Sequence, residues 1–403
     1  MSVNTTSTLV NRLKKRYNKE TSQLVPVPAD LQRRLPFRAD IGGGEQTEFD
    51  VQLSLELGFT QGEGALNGAI AQTNAKAIVS AYNLTLQSQV SYSLIARAQK
   101  EEQAFNRFGD SKFIPMVDSF RMREEFLALQ GRRGLGVVSA NNSGVLTITA
   151  ASWNATLMCS IKGAILEAWT AVDGSTQHNA DLTVSAVDVA NRTITVTGTS
   201  SAVVENDILF FKGDHNTGRI GLMHIAKNTG TLYNIDAAAN ALWKANTYDA
   251  GTSALTLGKI LAAAGKSAVK GCVGKQLVCY VPVQTFQTLV SDEAALVQYK
   301  AGVSTAERGF DTIKFLGANG QIEVVPHLYM RDGEAVLWPE EFTYIIGSIE
   351  ATTQLAKDGD MIFDLEGYNY KEMRMFSDSC GVFCERPGWI TLITRSDSNA
   401  LHA

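Results

Sequence analysis

The chain has 403 residues, 45% hydrophobic and 19% charged, which excludes disorder, collagen and coiled coil as its main state and leaves room for two or three packed domains. Thirty-six Lys and Arg against 41 Asp and Glu give a net charge of −5, too mildly acidic to mark the whole molecule as a nucleic-acid or membrane binder. No apolar run approaches the roughly 18 residues that cross a bilayer, and the Met1 end lacks the apolar core of a secretory signal, so a cytosolic product is expected.

Five cysteines (Cys159, Cys272, Cys279, Cys380, Cys384) form an odd, sparse set. In a reduced compartment they are expected as buried small hydrophobes, without a disulfide framework. Only Cys380 and Cys384 are close, and the five histidines are scattered, so the four clustered ligands of a structural zinc site are not in evidence.

Charge is unevenly placed. Residues 1–40 hold eight basic residues against three acidic ones, a local +5 that leaves −10 for the rest. Leu9, Val10, Leu13 and Tyr17 recur at helical spacing, while Arg12, Lys14, Lys15 and Arg16 fill other faces, which reads as a short basic amphipathic helix in an N-terminal arm. A solvated arm or a transit peptide has the same composition.

The clearest local signal follows. Phe49, Val51, Leu53, Leu55, Leu57 and Phe59 alternate with polar residues and Gly58, a period of two that reads as a long two-faced strand. Tyr82, Leu84, Leu86, Val90 and Tyr92 repeat the pattern with one break at Ser88. Thr60 to Lys76, broken by Gly62, Gly64 and Gly68, lies between them. Together they predict an extended β-hairpin whose strands exceed the usual length. Such an arm is barely stable alone in water, so it is expected to rest on another molecule or domain.

Helix formers dominate from about 96 to 108 and from 112 to 130, with Phe113, Met116, Val117, Phe120 and Leu127 on one face. Pro115 is expected near the first turn and Gly131 at the C-terminal cap, with Arg132 and Arg133 where they complement the helix dipole. Residues 137–213 are rich in Thr, Val, Ser and Asn and read as a β-module with strands at 145–149, 182–189 and 193–196, plus a helix around Ile161 to Trp169. A mixed region follows, with helices at 255–268 and 283–298 around an apolar strand, Leu277 to Val281. Short strands are expected at 322–325, 335–338, 343–346 and 390–393, and a short polar tail at 396–403. The order of elements is that of an α+β protein.

Catalytic motifs fail on spacing. Gly265-Lys266-Ser267 has Ile260 where a phosphate loop needs its first Gly. Gly131, Gly134 and Gly136 follow a helix where a dinucleotide site needs a strand. Asp358, Asp360 and Asp364 surround Gly359 without the EF-hand ligand order and read as a turn. Adjacent carboxylates such as Glu340 and Glu341 diverge and make poor acid–base pairs. No catalytic, metal or cofactor site is expected.

The succession of basic arm, oversized hairpin, long helix, β-module and mixed domain resembles the major capsid protein of tailed bacteriophages, with the Hong Kong 97-type shell fold. Phe120-Arg121-Met122-Arg123-Glu124-Glu125-Phe126-Leu127, then Gly131 and Gly134-Leu135-Gly136, is similar to the end of the spine helix in many such proteins. Glu205-Asn206-Asp207-Ile208-Leu209, Gly221-Leu222 and Tyr233-Asn234-Ile235-Asp236 resemble an inserted β-domain and the segment after it.

The resemblance implies an N-terminal arm (1–45), an extended loop (46–93), a peripheral domain with the spine helix (94–136), an inserted β-rich module (137–220), an axial domain (221–320), returning peripheral strands (321–395) and a tail (396–403). It further implies a non-enzymatic virion protein, assembled in the host cytoplasm as a homo-oligomer of pentamers and hexamers into the icosahedral shell around double-stranded DNA. Scaffolding protein and portal are the implied partners, with no membrane.

Within it, Phe49, Val51, Leu53, Leu55, Leu57, Phe59, Leu84 and Leu86 are expected to cover a neighbouring subunit. Arg12, Lys14, Lys15 and Arg16 are expected to meet scaffold or packaged DNA. The loop tip, 60–75, contains no Lys, which departs from relatives that crosslink there. The alternatives are a β-rich binding protein of the virion surface and a cytosolic hydrolase. The first needs clustered surface aromatics, whereas the five tryptophans are spread along the chain, and the second needs a nucleophile and base that are not identifiable.

Overall fold

The computed structural model describes residues 27–39, 46–62, 65–93, 102–172, 174, 176–216, 218–291, 313–317, 319–355, 363–364 and 368–402. The basic run Arg12, Lys14, Lys15, Arg16 and the pair Asp358, Asp360 lie outside these residues. Among them no helix is long and apolar enough to cross a membrane.

A first sheet is built on the long strand Tyr370–Cys384, which pairs with Thr343–Leu355, Phe363–Asp364 and Tyr82–Ser91, while Phe37–Arg38 adds parallel to Thr343–Leu355. Across this sheet lies a 28-residue helix, Glu102–Leu129. Met116 and Phe120 on its buried face meet Met373 and Met375, and Leu84, Leu86 and Val117 close the cluster. Among the described residues, from 102 on, the two helical stretches expected from sequence are one helix, and Pro115 sits in its middle instead of its first turn. Its position is exposed, so the proline ring, which clashes with the preceding turn, is turned to the solvent side. Gly131 takes the left-handed conformation (φ 57°) and packs on Gly221, where a Cβ would collide with backbone, so the chain turns out of the helix there.

The predicted hairpin is re-paired. Gln46–Gln52 pairs with Asn74–Ser80, from Gln46 opposite Ser80 to Gln52 opposite Asn74, and Tyr82–Ser91 leaves it for the first sheet. The segment expected as one loop over 46–93 therefore divides near Ala81. Asn74–Ser80 reads as tip because it is short on large apolar residues, yet Ala75, Ala77 and Val79 alternate inward, and small side chains suffice against an already filled core.

The β-module is a closed six-stranded barrel of Gly136–Asn142, Val145–Ile148, Ile165–Trp169, Gln177–Asp188, Thr193–Thr197 and Ile208–Phe211. Val138, Leu146, Leu166, Leu182, Ile194 and Leu209 are buried in its interior. The helix expected around 161–169 is replaced by a short one, Ala155–Ser160, capped by the Asn154 side chain on the Leu157 N–H, and by a strand. Asn154 also donates to the carbonyls of Leu328 (2.9 Å) and Met330 (2.6 Å), which fastens the barrel to the next unit.

That unit is a mixed sheet in the order Asn246–Asp249, Thr391–Thr394, Glu334–Pro339, Leu277–Val281, Gly320–Pro326, Ile313–Gly317. Leu277–Val281 is buried on both faces: Leu277, Cys279 and Val281 pack under the helices Leu257–Val269 and Val283–Ser291, whereas Val278 and Tyr280 join the core shared with the barrel and the first sheet. Two-sided burial explains its continuous apolar sequence. Strands 320–326, 334–339 and 391–394, expected to return to the first sheet, belong here, and only 343–384 returns. The tail is corrected too. Leu401 is buried, donates to the Asp332 carbonyl (2.6 Å) and accepts from the Leu255 N–H (2.9 Å).

Four cysteines are buried, and burial pushes the Cys384 and Cys380 thiols up to about 11 and about 12. Cys159 is exposed, against expectation.

Candidate assembly surface

The hairpin has two halves. In the inner half Phe49 stacks on Phe383 (centroids 4.9 Å apart), Val51 and Leu53 pack on the core, and the Ile78 N–H donates to the Tyr233 carbonyl (2.9 Å). Glu48 and Lys76 pair across the exposed face at 2.7 Å. Past Gln52 the regular ladder stops. The Leu53 N–H still reaches the Thr73 carbonyl (2.8 Å) and the Leu57 N–H that of Ile70 (3.2 Å), so the two runs stay together. Here the apolar side chains find no cover: Leu55 is 67% exposed, Leu57 57% and Phe59 78%, facing Leu66 at 87% and Ile70 at 56%. Five large apolar residues in one protruding segment form the kind of patch that marks an interaction site.

The hairpin is carried by a scaffold whose rigidity comes from charge. Glu124, near the end of the long helix, takes a double hydrogen bond from Arg219 (2.6 and 2.5 Å), and Arg219 also donates to Ser377 Oγ (2.7 Å) and to the Tyr82 carbonyl (3.1 Å). One guanidinium thus ties the helix to two of the five strands of the first sheet, Tyr82–Ser91 and Tyr370–Cys384. Next to it, Glu125 accepts from the N–H groups of Leu31 (2.8 Å, at Oε1) and Gln32 (3.1 Å, at Oε2), and His327 Nε2 lies 2.8 Å from the same Oε1, which joins the end of the arm and the second sheet to the same helix. Arg123 pairs with Asp214 behind the barrel and stacks on Phe211 (3.5 Å).

Arg133 grips Glu334 bidentately at 2.7 and 2.6 Å. Burial pushes the Glu334 carboxyl up, but Arg133, with its hydrogen bonds, and Arg331 outweigh it and hold the group at about 2. Burial lowers Arg331 itself to about 9 and raises Asp332 to about 6. Buried pairs of this kind fix relative placement more than they add stability.

The expected contact residues therefore separate. Leu55, Leu57 and Phe59 stand free on the hairpin. Phe49, Val51 and Leu53 pack against their own core, and Leu84 and Leu86 pack on the long helix of their own chain. Leu66 and Ile70 were missed because Gly and Ala around them mask any period of two. A cleft of about 380 Å³ lies between Tyr82, Asp214, Arg219 and Asp378; Asp214 and Arg219 are already engaged in these ties, and Asp378 accepts from the Ser348 hydroxyl. Among the described residues no group of His, Cys, Asp and Glu is placed to hold a metal.

No protein-family model and no curated protein matches this sequence. Solved structures do. The chain is similar to the capsid asymmetric unit of cyanophage A-1(L), at 13% identity and a TM-score of 0.56 over 99% of this chain and 100% of that one. It is also similar to the capsid of an empty GTA particle (9%, TM-score 0.54, 98% and 99%) and to the capsid of Myoviridae phage XM1 (6%, TM-score 0.50, 96% and 97%). Matches that run from end to end in both chains make the similarity one of whole architecture, and the chain has the fold of these capsid proteins.

Proposed function

We propose that this chain is the major capsid protein of a tailed bacteriophage, a structural and non-enzymatic subunit that assembles into an icosahedral shell around double-stranded DNA. The observation that carries the reading is the hairpin: a segment joined to its own chain at the base and uncovered at an apolar tip, on a chain with the fold of phage capsid proteins. A closed shell needs repeated heterologous contacts, and an arm that lies on the next copy adds buried area without enlarging the subunit core. Leu55, Leu57, Phe59, Leu66 and Ile70 are the residues assigned to that contact.

The five-stranded sheet with the long helix corresponds in this reading to the peripheral domain, the six-stranded sheet to the axial domain, and the barrel to an insertion. Arg12, Lys14, Lys15 and Arg16 are assigned to scaffold or DNA, and pentamers, hexamers, scaffolding protein and portal complete the assembly in the host cytoplasm. The test is to express the full chain with and without the neighbouring viral genes and examine it by sedimentation and negative-stain electron microscopy. Closed shells, or rings of five and six, are expected. A stable monomer under every condition contradicts the reading.

A further inference from the structure

Three turns meet at one end of the six-stranded sheet. The Trp389 indole donates to the Lys270 carbonyl (3.0 Å), Gly388 packs on the backbone of Leu242, and the Lys270 amine donates to the Lys244 carbonyl (2.5 Å). The ledge they form has two properties that are seldom combined on a free surface. Leu242 is 67% exposed, Val269 88% and Val273 64%, three apolar side chains around one junction.

Between them stand cations without an acidic partner among the described residues: Lys244, Lys270 and Arg386. Nearby Lys275, in contrast, is paired with Glu341 (2.9 Å). Arg386 is held over the rings of Trp389 (4.4 Å) and Phe342 (5.0 Å), so its guanidinium is positioned in advance of any ligand. Burial and then the neighbouring Lys244 lower the Lys270 amine, a repulsion that an incoming carboxylate relieves.

We infer that this ledge is a docking site for an acidic amphipathic helix of another protein, whose apolar stripe covers Leu242, Val269 and Val273 and whose carboxylates meet Lys244, Lys270 and Arg386. Charge complementarity selects acid, and the exposed apolar side chains distinguish the partner from DNA, which engages cations through phosphate alone. The inference does not depend on shell formation.

The probe is a labelled synthetic helix of about 18 residues with Leu at i, i+3, i+4 and i+7 and Glu elsewhere. Its anisotropy is titrated with the full chain as unassembled subunit, against a scrambled peptide of equal composition and a ~20 bp duplex DNA. The peptide should bind, the scrambled one at least about tenfold more weakly. V269D/V273D and K270E/R386E should each weaken the peptide by about tenfold or more with unchanged melting. The duplex should bind the wild type more weakly than the peptide does. Leu242→Ser keeps the test readable if a double variant fails to fold. Equal peptide binding by wild type and both variants overturns the inference. So does DNA binding tighter than the peptide and lost only in K270E/R386E, or loss of self-assembly in V269D/V273D without any peptide affinity in the wild type, which makes the ledge a contact between copies.

Discussion

At the end of the long helix, Glu124 and Glu125 are buried and every carboxylate oxygen has a donor; on the outer hairpin, the side chains of Leu57 and Phe59 are largely exposed. One chain thus buries carboxylates and exposes aromatic and aliphatic side chains, the reverse of what a lone soluble domain selects. The difference separates two tasks. The helix end fixes how the two sheets, the barrel and the arm sit relative to one another. The hairpin tip contributes little to that subunit and is left for another surface.

The comparison can be broken first at the helix end. Arg219→Met leaves Glu124 charged and buried without its cation, with only the Ser377 hydroxyl still donating to it, which should cost about 3–5 kcal/mol and show as a lower denaturation midpoint. Phe120→Ala, which empties the cluster between helix and first sheet, should cost about 3–5 kcal/mol in the same assay. If either variant melts like wild type, the helix end is not the organising region.

Acid provides a milder probe. Glu334 is held at about 2 from an ordinary 4.5, so its contribution is complete above pH 4.5 and falls away as the pH drops toward 2. Glu334→Gln should flatten that acid limb. Asp332 works the other way: raised from 3.8 to about 6, its ionised form costs stability above pH 6, and the cost disappears below pH 4. Asp332→Asn should remove this slope from a stability profile taken between pH 4 and 6. The smallest effect on the subunit belongs to the arm: replacing Arg12, Lys14, Lys15 and Arg16 by Ala should leave melting unchanged and lower the salt dependence of DNA or scaffold binding.

Much of this was legible in the sequence. The strand at Leu277–Val281 and the helix over 257–269 follow from continuous apolar character and helical spacing, because both are decided by local pattern. The long strand Tyr370–Cys384 escaped notice. Glu372, Ser377 and Ser379 give it a loop-like composition, and those polar groups are buried in mid-sheet, with Ser377 and Glu372 engaged by Glu124, Arg219 and Arg374. No local signal announces a partner some 250 residues away.

The hairpin was recognised and its second strand misassigned for a related reason. Ala75, Ala77 and Val79 lack the bulk that marks a strand, and register was settled by a core that other segments had already filled. Leu166, Glu167 and Ala168 favour helix intrinsically, and barrel closure overrode them.

The most direct measurement takes L55S/L57S/F59S and determines, on one preparation, its melting temperature and the critical concentration for assembly by light scattering. The account predicts a melting temperature equal to wild type and a critical concentration raised by about tenfold or more. Melting that falls while assembly of the surviving subunits is unchanged would place the tip in the fold of its own chain and contradict the separation of tasks.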